Sequence, residues 1–96
     1  MRKDEAIRLI RGHEGELRAY GFTSLSLFGS VARGEESATS DVDILVDFPG
    51  HVGFRQFMGL KFALEDMLGC SVDLVDRQAL RPGWRELIES DLLLVA

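Results

Sequence analysis

Residues 25–48 read LSLFGSVARGEESATSDVDILVDF, and this stretch decides the fold. It opens with a short apolar run, turns at Gly29-Ser30 and crosses a small polar loop. A second apolar run then carries Asp41 and Asp43, one residue apart. Side chains alternate faces along a strand, so Asp41 and Asp43 share one face while Val42, Ile44 and Val46 take the other. Like charges side by side on a sheet repel. A divalent cation between them removes that cost, and hard carboxylate oxygens suit Mg²⁺. The spacing therefore predicts a metal site.

The rest of the composition sets bounds around this segment. Ninety-six residues are expected to form one domain spanning 1–96, with a single modest core. A hydrophobic share of 46% and a charged share of 28% are those of a soluble globular chain. The net charge of −5 and the lack of any basic run argue against direct nucleic-acid binding. A nucleotide substrate remains open, because its phosphates can arrive paired with metal. A lone cysteine, Cys70, rules out an internal disulfide and points to a reducing cytoplasm. No apolar run reaches the ~20 residues of a membrane span, and the N-terminus does not read as a signal peptide.

In chain order, residues 3–20 read as a helix with Ile7, Ile10, Leu17 and Tyr20 on one face, weakened in the middle by Gly12 and Gly15 and closed by Gly21. Ser24–Phe28 is the first strand. The Gly29-Ser30 turn and a short helix in SVARGEE follow, an arrangement that gathers free backbone N–H groups where a phosphate can sit. Ser30 adds a hydroxyl there and Arg33 a positive charge. Residues 36–40 form a loop and 41–47 the second strand, with Asp47 on the Asp41/Asp43 face but farther along. Phe54–Leu68 reads as a helix with Phe57, Leu60, Leu64, Met67 and Leu68 inward, and Phe54 and Phe62 are also expected in the core. After Gly69, residues 71–76 make a third strand, expected to be central, with Asp73 opposite Val72 and Leu74. Pro82 opens a last helix to about Glu89, and residues 92–95 add a short strand.

The elements predict an α/β fold, a small two-layer sandwich of a mixed β-sheet with helices packed on one face. Val42, Ile44, Val46, Val72 and Leu74 would face the helices. Asp41, Asp43 and Asp73 would share the other face, and three carboxylates on one open face are hard to explain by packing. His13 and His51 lack partners at zinc spacing, and Cys70 reads as a small apolar group. Trp84 covers a core edge or meets a partner.

The pattern GSxxRGE…SDxDxxV, with VDLV on a later strand, resembles the minimal nucleotidyltransferases of the DNA polymerase β-like superfamily, over nearly the whole chain. The resemblance implies that Gly29 and Ser30 grip the triphosphate, that Arg33 offsets its charge, and that Asp41, Asp43 and Asp73 are the catalytic, metal-holding carboxylates of a two-metal Mg²⁺ site with ATP as substrate. It further implies transfer of AMP to a tyrosine of a HEPN-family toxin, with this chain as the antitoxin of the pair and assembled with that toxin. Glu35 follows the motif with no role beyond a helix-terminal or salt-bridge contact. Larger relatives add a helical domain for base and acceptor, for which 96 residues leave no room, so base contacts are expected to be thin. Two other readings stand beside this one: a binding antitoxin without catalysis, and a nucleotidyltransferase acting on a small-molecule acceptor.

Overall fold

In a computed structural model that describes residues 1–35 and 41–96, the chain alternates helices and strands. Helix α1 spans Lys3–Gly12 and α2 Glu14–Leu17, followed by a 3₁₀ turn, Arg18–Tyr20. Strand β1 is Ser24–Phe28, α3 Gly29–Ala32, β2 Val42–Asp47, α4 Phe54–Leu68 and β3 Val72–Asp76. A second 3₁₀ turn, Arg77–Ala79, leads to α5 (Pro82–Glu89) and β4 (Leu93–Leu94). The expected N-terminal helix is thus interrupted at His13, between the two glycines. Asp4 and Glu5 in the first turn of α1 and Arg11 in its last complement the helix dipole. Gly21 and Gly69 end their helical segments in the left-handed conformation.

Among the described residues the strands form one mixed sheet in the order β3-β2-β1-β4. β1 pairs antiparallel with β2 and β4, whereas β2 and β3 are parallel and joined through α4. The expectation that β3 is central does not hold, because it lies at the sheet edge. A parallel partner of β2 needs a helical crossover, which carries β3 outward, and the last strand adds at the far side, next to β1.

One face of the sheet makes the core. Leu25, Leu27, Val42, Ile44, Val46, Val72 and Leu74 join Ala6 and Ile10 of α1, Leu17 of α2 and Leu60, Leu64 and Leu68 of α4 in a single buried cluster. The five strand residues expected on this face are all there. Phe54 and Phe62 are not in the core, being 80% and 54% exposed. Leu60, Leu64 and Leu68 fix the buried face of α4, so Phe62, two residues past Leu60, turns away, and Phe54 sits in the first turn. Phe57 and Met67 are half-buried against the cluster, as is Cys70. Trp84 is 58% exposed and does not seal the core. Glu65 on α4 accepts the Val72 N–H at 3.0 Å and the Lys61 ammonium at 2.9 Å, tying the helix to the start of β3. No helix of the described residues is long and apolar enough to cross a membrane.

Candidate active site

The second face of the sheet is built by the same alternation. The register pairs Asp43 with Phe28 on one side and with Asp73 on the other, so the two aspartates lie on neighbouring strands in the same row. Asp41 directly precedes β2 and, two residues from Asp43, falls on the same face. The structure thus gathers all three aspartates on one side of the β2–β3 pair. Asp43 is half-buried, and Asp41 and Asp73 are exposed. Farther along, Leu45 is buried outside the main cluster, as is Ile88 of α5. Arg77 reaches both Asp47 at 3.0 Å and Glu89 at 3.9 Å, which ties α5 to this face. The contact to Asp47 lacks hydrogen-bond alignment at Nε. Asp47 is accordingly occupied away from the cluster.

β1 runs straight into α3 through Gly29, whose φ of +73° is one that side-chain-bearing residues rarely adopt. A Cβ at this position would overlap Asp43 Oδ2 and stand 3.0 Å from its Cγ. Gly29 is therefore required twice, by its backbone conformation and by the carboxylate packed against it. Ser30 follows at the first turn of α3, half-buried. The short helix ends at Ala32, so it covers only the first part of SVARGEE, and residues 36–40, expected as a loop, lie outside the described residues.

Burial, then the charges of Asp73 and Asp41, push the Asp43 carboxyl above its ordinary value, and Arg33 pulls it back. The Arg33 guanidinium is thus close enough to Asp43 for its charge to be felt. It donates from Nε to Glu35 at 2.9 Å and from Nη1 to Asp91 at 2.7 Å. Those two carboxylates, Glu35 first, raise its already high pKa. Of the two contacts open to Glu35, helix-terminal or salt bridge, the structure shows the salt bridge, with Arg33 as its partner. Asp91 is absent from the sequence reading, and no local signal marks it, since it lies 58 residues away and joins the site only because β4 returns beside β1.

Whether this face suits Mg²⁺ can be tested on its own chemistry. The donors are carboxylate oxygens, and the strain on Asp43 comes in part from two like charges that a cation would offset. Among the described residues no three His, Cys, Asp or Glu side chains close into a metal cage, so the aspartates share a face without converging on one point. Mg²⁺ needs no such cage, because it retains water and commonly binds one or two carboxylates together with substrate phosphates. The residues fit the ion.

A family model for the nucleotidyltransferase domain matches residues 10–95. The chain is 37% identical over 93 residues to the protein adenylyltransferase MntA of Thermococcus cleftensis, covering 96% of this chain and 94% of that protein. A solved structure assigned to a minimal nucleotidyltransferase superposes with a TM-score of 0.81 at 36% identity, over 97% of this chain and 95% of that one. A chain from the complex of a tri-AMPylated Shewanella oneidensis HEPN toxin with an MNT antitoxin has a TM-score of 0.69 at 20% identity, covering 94% of this chain and 71% of that chain; it shares the fold.

Proposed function

This chain belongs to the nucleotidyltransferase-domain family, and on that premise we propose that it is a Mg²⁺-dependent protein adenylyltransferase of the cytoplasm, transferring AMP from ATP to a tyrosine hydroxyl of a HEPN-family toxin and so acting as its antitoxin. The observation that carries the reading is the contact of Gly29 with Asp43, with Asp73 in register beside it. A turn without a side chain lets phosphate oxygens approach the backbone, and here that turn lies directly against the carboxylates.

In this reading Gly29 and Ser30 hold the triphosphate by backbone N–H groups and the Ser30 hydroxyl, and Arg33 donates to a phosphate oxygen. Asp41, Asp43 and Asp73 would hold Mg²⁺, which, when bound, offsets charge on the triphosphate and on the departing pyrophosphate. The acceptor hydroxyl oxygen forms a bond to the α-phosphorus while the bond to the β-phosphate bridging oxygen breaks. Pyrophosphate leaves with that electron pair, and Asp73 receives the hydroxyl proton. The protein contributes mostly position and charge, as in phosphoryl transfer generally. Support for adenylyl transfer comes from the MntA relative, and support for the toxin partner from the complex of a HEPN toxin with an MNT antitoxin, a chain of which shares this fold.

The test is intact-mass measurement of a co-encoded HEPN protein after incubation with this chain, ATP and Mg²⁺, beside an Asp41→Asn/Asp43→Asn variant. Adenylate added by the unaltered chain alone upholds the reading. A toxin silenced by binding with no added mass would replace it with a non-catalytic antitoxin.

A further inference from the structure

The Arg33 guanidinium is gripped from two directions that differ in kind. Glu35 is two residues away and 65% exposed, so it orients Arg33 only relative to its own turn. Asp91 is 23% exposed and comes from the segment between α5 and β4. Its own N–H donates to the Ile88 carbonyl at 2.9 Å. Two residues later the chain pairs with β1, Leu93 opposite Leu27 and Leu94 opposite Ser26, and Val95 donates to the Leu25 carbonyl at 2.9 Å. The strand beside which Asp91 is anchored is thus β1, which runs directly into Gly29.

We infer that Asp91 is a positioning residue for nucleotidyl transfer, holding the Arg33 guanidinium beside Asp43 in the orientation that meets a phosphate oxygen. The inference rests on the nucleotidyltransferase reading above. A guanidinium offers five N–H donors in a fixed fork, and the two carboxylates use Nε and Nη1. Both contacts can persist while Nη2 turns to the nucleotide. Two carboxylates against one guanidinium leave the trio with a net charge of about −1 at neutral pH. Arg33 therefore acts as a directed donor more than as a source of attraction, and losing its orientation weakens nucleotide binding without abolishing it.

Calorimetric titration of ATP with Mg²⁺ into the full chain tests this, using Asp91→Asn, Asp91→Glu, Arg33→Ala and the Arg33→Ala/Asp91→Asn pair. Asp91→Asn should weaken ATP binding about tenfold, the order expected for a charged hydrogen bond. Asp91→Glu should lose only about threefold. In the Arg33→Ala background Asp91→Asn should add less than a twofold loss, because the residue it orients is gone. A merely structural Asp91 would shift the melting temperature and leave ATP affinity within twofold, which overturns the inference, as does a tenfold loss that persists without Arg33. Should Asp91→Asn fail to fold, Asp91→Glu is judged by the same comparison against Arg33→Ala. If the unaltered chain binds no ATP, the nucleotidyltransferase reading fails and the role of Asp91 with it.

Discussion

Asp43 and Ile44 are neighbours on β2 whose surroundings have nothing in common. Ile44 is fully buried in an apolar cluster built from α1, α4 and the adjoining strands. Asp43 stands between two like charges, against a glycine held at positive φ, with an arginine drawing its pKa down while everything else drives it up. A strand makes such a division possible, because its two faces are chemically independent. The apolar face supplies the stability that lets the other keep repelling charges and a constrained turn. Two arginines repeat the contrast on a smaller scale. Arg77 lies between Asp47 and Glu89 without an aligned hydrogen bond from its Nε, whereas Arg33 donates hydrogen bonds to both of its carboxylates and is felt by Asp43.

The largest expected effect separates the two faces outright. Asp43→Asn should lower AMP transfer by about 10³-fold or more, roughly 4 kcal/mol of transition-state stabilisation, with the circular dichroism spectrum unchanged; unfolding of this variant would show that the division is not real. Next is Ile44→Ala, which should cost about 2–5 kcal/mol in denaturant unfolding, the range for large apolar deletions in a core. That is a large part of the stability of a chain this size. A loss below about 1 kcal/mol would mean the inner face is less tightly packed than the burial of Ile44 indicates.

Gly29→Ala tests the seam between the faces. It places a Cβ on Asp43 and forces alanine into a left-handed conformation, costing about 1–2 kcal/mol, and should reduce transfer by about 10²-fold through displacement of the carboxylate. Full activity in this variant would sink the role given to the contact. The smallest effect concerns Asp43 without metal. Its carboxyl pKa is raised in the folded chain, so its contribution to stability is fully present below the ordinary value near 3.8 and is lost as pH rises through the folded-state value. At pH 7 in EDTA, Asp43→Asn should therefore be slightly more stable than the unaltered chain. Melting curves should show that gain vanish toward pH 3. A variant less stable at pH 7 would reverse the sign assigned to this charge.

Most of the architecture was legible because it follows from local rules. Period-two alternation fixed β1, β2 and the strand residues of the core, and apolar spacing with a terminal glycine fixed α4. Pro82 marked the first turn of α5. The three aspartates could be assigned to one face for the same reason, since parity along a strand needs no knowledge of its neighbours. Where the sequence misled, the missing quantity was an environment. Phe54 and Phe62 are apolar residues on a helix whose buried face is already filled by Leu60, Leu64 and Leu68, and β3, expected to be central, lies at the edge because its place depends on which partner it finds.

What the sequence determined by itself is thus the order and phase of the elements, the glycine turn and the shared face of Asp41, Asp43 and Asp73. Only the tertiary structure decided that Asp43 and Asp73 stand in register, that Gly29 abuts Asp43, and that Asp91 reaches Arg33 across 58 residues. Local periodicity is written in adjacent residues. Strand pairing and side-chain meetings are written in distances that exist only once the chain has closed on itself.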